Sequence, residues 1–148
     1  MNEPTVFSTF GMHIINGCLI VSVSRDMDDE SALDLQRDVL EKVKTTGAKK
    51  VLINVSALQV LSVQTFIILR NTAQMVTMLG ALAVFAGFQP GVASALVDLD
   101  APVEGIRTAI TMEGGIALLE NEMAISDTSE AAEPVEDANK DPDANAKG

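Results

Sequence analysis

The sequence predicts a single α/β domain: a mixed sheet of four to five strands, opened by an antiparallel hairpin, with about four helices mainly on one face. Two observations lead to this prediction. Two β-rich runs flank the dipeptide Asn16-Gly17, which readily supplies the two positive φ angles of a type I′ hairpin turn. After the hairpin, segments with helical periodicity alternate with short apolar runs of strand length. This alternation favours parallel strands joined by crossover helices.

Local signals place the predicted elements in chain order. The hairpin joins Val6–Ile15 to Cys18–Val23. The first helix runs from about Glu30 to Thr46, because carboxylates stand at its start, apolar residues recur at helical spacing and a glycine follows its end. The remaining elements are a strand at Val51–Val55, a helix at about Val63–Leu79, a strand at Leu82–Ala86, a third helix from Pro90 to before Asp100, a short strand at Ile106–Ile110 and a terminal helix at Met112–Asn121.

The predicted second helix is unusually apolar. It carries one charge, Arg70, and its apolar residues fall on more than one stripe. A helix of this kind is expected to be covered on two sides. Its own sheet provides one cover, and another subunit is a candidate for the second.

Composition favours one soluble, cytoplasmic domain. A length of 148 residues fits a single core, and with no Trp or Tyr and five Phe that core must be aliphatic. One cysteine excludes an internal disulfide. Met1–Pro4 lacks the basic start of a signal peptide, and the longest apolar run, Leu79–Phe88, is shorter than the roughly 18 residues that span a bilayer.

The net charge of −11 is divided between a predicted domain, residues 1–121, with −5, and a tail, residues 122–148, with −6. The basic residues of the domain are scattered, which argues against nucleic acid and against an anionic membrane surface as partners. Residues 127–148 have almost no large apolar side chains and cannot offset the entropy of ordering, so we predict an acidic, disordered tail.

Signals for catalysis, metal binding or cofactor binding are weak. The only histidine, His13, lies in the hairpin far along the chain from Ser62, so no base is placed to activate a nucleophile. Cys18 begins an apolar strand and is expected in the core. The acidic cluster at Asp26–Glu30 lacks the pattern of a calcium loop and fits the charge preference of a helix start. Gly87–Gly91 matches neither a Walker loop nor a dinucleotide fingerprint. We therefore expect no enzyme, no metal site and no cofactor.

Three hydroxyl residues lie where the predicted strand Val51–Val55 passes into the second helix. Ser56 ends the strand, Ser62 stands near the helix start and Thr65 lies in the first turn. Each can cap the helix through local hydrogen bonds. The functional alternative is phosphorylation, because a phosphate adds about −1.5 to −2 charges and could expel a docked partner.

Several segments resemble one protein family. The segment Val51–Val63 resembles the strand-turn-helix signature of STAS domains, the family of anti-sigma-factor antagonists. Further segments are similar to the stressosome scaffold subfamily of the RsbS type: Cys18–Val23, Asp28–Leu33, Thr46–Ala48, Gly87–Ala93 and Arg107–Ala109. The likeness covers about residues 5–121.

The resemblance implies a non-enzymatic scaffold that self-associates and co-assembles with sensor STAS paralogues into a large hollow bacterial particle. In that family the scaffold holds a switch serine/threonine kinase until phosphorylation of a serine at the start of the second helix releases it, and a phosphatase resets the state. The alternatives are a small STAS module that binds a nucleotide or lipid ligand, and a simple monomeric anti-sigma-factor antagonist.

The sequence departs from the family at the switch position. Family members usually show Asp-Ser at the turn, and an alignment without gaps to that pattern places Ser62 and Val63 at these two positions. Since Val63 cannot be phosphorylated, the acceptor has moved to Ser62, or Thr65 has taken the role, or the switch has been lost. Asn54 stands where the strand commonly carries Asp. The residues expected to contact partners are Asn54, Ser56, Gln64, Phe88 and Gln89.

Overall fold

The computed structural model describes residues 11–124 and shows one five-stranded mixed sheet with four helices. The strands are β1 (Gly11–Ile15), β2 (Cys18–Ser22), β3 (Lys50–Asn54), β4 (Leu82–Ala86) and β5 (Thr108–Ala109). The helices are α1 (Asp29–Thr46), α2 (Val63–Met78), α3 (Pro90–Asp98) and α4, residues 112–124. The strand order is β1-β2-β3-β4-β5, with β1 and β2 antiparallel and all other neighbours parallel.

The predicted hairpin is confirmed for its described part. Asn16 and Gly17 take φ angles of 53° and 77°, and Ile15 pairs with Cys18 across the turn. His13 lies exposed on β1, as expected of a hairpin surface residue. Residues 6–10 of the predicted first strand lie outside the described residues.

The C-terminal elements differ most from the predicted bounds. β5 has two residues rather than the five of Ile106–Ile110, because β4 forms strand pairs only with Thr108 and Ala109. α4 continues to residue 124, three residues beyond its predicted end at Asn121. The division of the chain at residue 121 stays a prediction, and most of the predicted tail, residues 125–148, lies outside the described residues.

The first face of the sheet carries the main aliphatic core. Alternate strand residues such as Leu19, Ile53 and Phe85 are fully buried there under α1, α2 and α3. The second face is covered by α4, where Leu119 is also fully buried. Three helices on one face and one on the other confirm the predicted architecture.

α4 lies very close to the sheet. A Cβ atom added at Gly115 would be 2.7 Å from Cδ1 of Leu52 and 3.4 Å from both Ala86 Cβ and Val84 Cγ1. Cys18 lies on the same face, and burial raises the pKa of its thiol, with smaller opposing and reinforcing effects from neighbouring charges. Cys18 is therefore a core residue, as its place in an apolar strand predicted.

α1 of the same chain occupies the second side of α2, for which another subunit was a candidate. Gln36 of α1 donates a hydrogen bond from Nε2 to Oγ1 of Thr72, at 3.1 Å, across this helix pair. The apolar residues of α2 that stay exposed are at its C-terminal end: Met75, Met78 and Leu79, which follows the helix. Within residues 11–124, no helix is long and apolar enough to cross a membrane.

Candidate functional site

The carboxyl edge of the parallel strands collects most of the polar groups that the sequence singled out. β2, β3 and β4 run in the same direction, so their carboxyl ends meet at one edge of the sheet. Each is followed by a helix that starts at this edge. The starts of α1, α2 and α3 therefore bring exposed helix N-termini and their capping residues into one neighbourhood.

Ser62 is the N-cap of α2. Its backbone is extended, with φ −80° and ψ 159°, and its Oγ accepts a hydrogen bond from the backbone N–H of Thr65 at 3.0 Å. Its side chain satisfies a helix N–H that has no intrahelical partner. Ser62 is exposed, whereas Val63, the first helical residue, packs half-buried against the core. The capping role predicted for Ser62 is confirmed.

Thr65 is buried, with 2% of its surface exposed, and its hydroxyl is fully engaged. Its Oγ1 accepts a hydrogen bond from Ser62 Oγ at 3.0 Å and donates one to Asp29 Oδ1 at 2.7 Å. Asp29 lies in the first turn of α1. A continuous chain of hydrogen bonds, Ser62 to Thr65 to Asp29, thus connects the starts of α2 and α1.

Beside Ser62 lies an acidic groove of about 460 Å³, lined by Met27, Asp28, Asp29, Glu30, Val60, Ser62 and Thr65. Asp28 is the N-cap of α1 and accepts hydrogen bonds from the backbone N–H and the hydroxyl of Ser31, at 2.9 and 2.8 Å. These two hydrogen bonds hold the pKa of Asp28 below its usual range, and the bond from the backbone N–H has the larger effect. The helix-start interpretation of these acids is confirmed for Asp28.

A negative group attached to Ser62 would experience two opposing electrostatic forces. The positive end of the α2 dipole attracts such a group, and the first turn of α2 contains no acid. The three carboxylates of the groove repel it. Among residues 11–124, no group of three or more His, Cys, Asp or Glu residues is arranged to hold a metal ion.

A second polar cluster joins the ends of β3 and β4. The side-chain oxygen of Asn54 accepts a hydrogen bond from the backbone N–H of Ser56 at 3.1 Å, and Gln89 donates from Nε2 to the Ser56 carbonyl at 2.8 Å. Gly87 makes this approach possible, because at its φ of 92° an added Cβ atom would lie 2.9 Å from Ser56 Cβ. Of these residues, Ser56 presents an exposed surface.

An apolar cavity of about 420 Å³ lies between α3 and the β4–β5 end of the sheet. The ring of Phe88 forms part of its wall and packs against Phe85 and Phe66, with ring centroids 5.9 and 6.4 Å apart. Phe66 also lines the cavity, and its backbone N–H donates to the Ser62 carbonyl at 2.9 Å. The cavity is thus one helical turn away from the cap of α2.

The structure sorts the sequence-predicted residues into three groups. Ser62 and Thr65 are hydrogen-bonded to each other, and Gln64 lies exposed beside them in the first turn of α2. Asn54, Ser56 and Gln89 form the second cluster, and Phe88 belongs to the cavity.

Sequence reasoning missed the role of Asp29 and the cavity. Asp29 and Thr65 are 36 positions apart, so no local pattern connects them. The only available signal was topological: helices that follow neighbouring parallel strands start at the same edge.

Comparison with known protein families identifies the domain. A family model for the STAS domain matches residues 10–102. No curated protein sequence matches the chain significantly.

Several solved structures share this fold. A variant of RsbS from Moorella thermoacetica, in which a serine is replaced by glutamate, superimposes with a TM-score of 0.68 and 22% identity over 79% of this chain and 99% of that chain. A chain of the stressosome, described as a signal integration and transduction hub, gives 0.65 and 22% over 76% and 98%. A chain described as an anti-sigma-factor antagonist from Thermotoga maritima gives 0.62 and 14% over 75% and 94%. These similarities concern the fold.

Proposed function

Because the chain belongs to the STAS domain family, we propose that it is a non-enzymatic scaffold of a bacterial stressosome-like signalling complex. In this role it co-assembles with sensor STAS paralogues and sequesters a switch serine/threonine kinase in the cytoplasm. The observation that carries the proposal is the similarity to RsbS over 99% of the RsbS chain, together with an exposed hydroxyl at the start of α2. The acidic groove beside that hydroxyl argues against a nucleotide phosphate or lipid head group as its ligand.

Ser62 is the phosphoacceptor in this proposal. A kinase must bring its catalytic groups to the acceptor oxygen, which favours an exposed side chain. Ser62 is exposed and begins a helix, whereas Thr65 is 2% exposed and uses its hydroxyl proton in the bond to Asp29. Phosphorylation of Thr65 would require the first turn of α2 to open.

A phosphate on Ser62 would act through the contacts of its hydroxyl. The ester oxygen cannot donate, so the hydrogen bond from Ser62 to Thr65 would be lost. The negative charge of the phosphate would lie beside the carboxylates of the acidic groove and would be repelled by them. We expect this repulsion to weaken the contact between the starts of α1 and α2 and to release the kinase, with a phosphatase restoring the bound state.

Particle size tests the scaffold role. The purified chain is mixed with a sensor STAS paralogue and its mass is measured by light scattering, with negative-stain microscopy of the same sample. A large closed particle that also retains the kinase is the expected result. A chain that stays monomeric with every paralogue and captures no kinase would refute the scaffold role and favour a monomeric antagonist.

Intact-mass measurement after incubation with the cognate kinase and ATP tests the switch. We expect a gain of one phosphate that Ser62→Ala and Ser62→Asn both abolish; the asparagine keeps an N-cap acceptor and so controls for loss of the helix start. Ser56→Ala is the matched control at the same edge and should leave the gain unchanged. A gain abolished by Thr65→Val instead would refute the assignment to Ser62. No gain while the kinase still binds would show that the switch has been lost.

A further inference from the structure

The amino-terminal edge of the parallel strands collects all four lysines found in residues 11–124. Lys50 is the first residue of β3 and lies level with the first residues of β2 and β4. Lys49 directly precedes it, and Lys42 and Lys44 lie near the end of α1, which starts at the opposite edge. We name Lys42, Lys44, Lys49 and Lys50 the lysine edge.

The four ammonium groups of the lysine edge have no ion-pair partner within residues 11–124. In the same part of the chain, Arg37 and Arg107 both pair with acids. Three of the lysines are exposed, and Lys50 is half-buried. The end of α2 lies beside them, since a Cβ atom added at Gly80 would be 3.9 Å from Nζ of Lys49. The lysine edge is therefore a positive surface open to a negatively charged partner.

α4 brings the following part of the chain to the same edge. Gly115, early in α4, lies against Ala86 at the end of β4. Burial, the charge of the lysine that begins β3 and the charge of Glu120 all act on the pKa of the Cys18 thiol, so Glu120 lies close to the start of β2. α4 thus runs toward the amino-terminal edge, and residues 125–148 continue from there.

The charge of the continuing segment is complementary to the lysine edge. Residues 125–139 hold five acids and no base: Asp127, Glu130, Glu133, Glu136 and Asp137. Extended, residues 127–137 span about 35 Å, whereas the outer strands of a five-stranded sheet are about 19 Å apart. The segment is therefore long enough to cross this edge from α4 to the end of α1.

Covalent attachment favours this segment over a separate acidic molecule. It begins beside the lysines, so its effective concentration there is in the millimolar range. Exposed ion pairs are weak one by one, but one attached segment forms several of them together. The acidic groove beside Ser62 lies at the opposite edge and repels the segment.

We propose that residues 127–137 bind the lysine edge of the same chain through ion pairs and cover it. The segment needs no fixed fold for this, because ion pairs between exposed side chains tolerate many backbone conformations. The contact makes the segment an intramolecular competitor, so an acidic partner that approaches this edge must displace it. This inference goes beyond the scaffold function and does not depend on it.

Carbodiimide cross-linking of the full chain tests the contact, since this reagent joins a carboxylate to an amine that touches it. Chains labelled with 14N and 15N are mixed equally, and the linked peptides are identified by mass spectrometry. In low salt we expect links from residues 127–137 to the lysine edge with one isotope throughout, which shows that both peptides come from one chain. Their yield should fall at least about fivefold in roughly 0.5 M NaCl, because salt screens exposed ion pairs.

Gln59→Lys supplies the matched control amine at the other edge. Gln59 is exposed in the loop after β3, and its backbone N–H donates to the Arg25 carbonyl. A five-residue strand separates the two edges by about 17 Å, which exceeds the Debye length of about 10 Å at 0.1 M salt. Links from residues 127–137 to the new lysine should therefore be at least about fivefold rarer than links to Lys49.

The acetylation rate of each lysine gives an independent measurement. One variant replaces the five acids of the segment by their amides: Asp127→Asn, Glu130→Gln, Glu133→Gln, Glu136→Gln and Asp137→Asn. In low salt the lysine edge of this variant should react at least about threefold faster than that of wild type, because the ion pairs that protect the amines are lost. Asp141→Asn with Asp143→Asn is the matched control and should change the rates less than about 1.5-fold.

Three results would overturn the inference: cross-links that are absent or contain both isotopes, equal yields at the Gln59→Lys amine and at Lys49, or acetylation rates that the five amides leave unchanged. In the last case the lysine edge is open to a separate acidic protein or to nucleic acid. Particle assembly with a sensor paralogue is measured separately, so either proposal can fail while the other stands.

Discussion

Thr65→Val tests whether the hydrogen bond to Asp29 stabilises the contact between α1 and α2. The substitution nearly preserves side-chain volume and removes the 2.7 Å bond to the carboxylate and the bond from Ser62. A hydrogen bond to a charged group contributes about 1.5 to 3 kcal/mol. Because Asp29 is exposed and water can replace the lost donor, we expect the free energy of unfolding to fall by about 1 to 2 kcal/mol.

Urea denaturation measures this loss. With an m value of about 2 kcal/mol/M, the middle of the range for small proteins, the midpoint should fall by roughly 0.5 to 1 M while m stays constant. Thr72→Val is the matched control: Thr72 is also buried on α2, but its hydroxyl bonds only to the Ile68 carbonyl and the Gln36 amide, so we expect a smaller loss of about 1 kcal/mol.

A double-mutant cycle with Asp29→Ala separates the contribution of the Thr65–Asp29 hydrogen bond from the other effects of each substitution. Thr65→Val and Asp29→Ala should be coupled by at least about 0.5 kcal/mol, whereas Thr72→Val and Asp29→Ala should be additive. Additive effects of Thr65→Val and Asp29→Ala, or unchanged stability of Thr65→Val, would refute a stabilising role for this bond.

Three further predictions concern the framework of the site, each measured by urea or thermal unfolding. Gly115→Val should lower stability by about 1 to 3 kcal/mol, because the new side chain overlaps the buried sheet face under α4. Gly91→Ala, in open space on α3, should raise stability by about 0.4 to 1 kcal/mol. Equal effects of the two substitutions would contradict the close packing of α4. Gly87→Ala should cost at least about 1 kcal/mol, because it places a non-glycine residue at φ 92° and against Ser56, and wild-type stability would contradict this. The folded-state pKa of Asp28 lies below its unfolded value of about 3.9, so its stabilising effect is complete above that pH and is lost as the pH falls through the lower folded-state pKa. Asp28→Asn keeps an N-cap acceptor but removes the titrating group, so it should lose stability less steeply than wild type as the pH falls below about 5, and parallel curves would show that the ionised carboxylate does not contribute.

Local sequence signals were sufficient for most of the fold. Asn16-Gly17 defined the hairpin, and helical spacing with terminal caps placed α1 within one residue at its start. These features depend on neighbours in the chain, which the sequence displays directly. β5 was predicted too long because its extent depends on pairing with β4, and apolar character alone does not show where that pairing ends.

The site was predicted less completely because its contacts join distant parts of the chain. Ser62 was identified as a cap from its position before an apolar helix, and local geometry confirmed it. The partner of Thr65 and the cavity beside Phe88 arise from the packing of several elements. Which residues form these contacts depends on which loops the parallel sheet brings together. The spacing of residues along the chain does not contain that information.

The unequal covering of the sheet has a consequence for synthesis of the protein on the ribosome. The face under α1, α2 and α3 can receive these three helices once residue 98 has left the ribosome, but the opposite face waits for α4, residues 112–124. Until then Ile20, Leu52 and Val84 present an uncovered apolar surface on a nearly complete sheet. Nascent chains at this stage are the form most exposed to premature association with one another. Chaperone binding to stalled chains whose emerged part ends before residue 112, and its loss once α4 has also emerged, would reveal this interval.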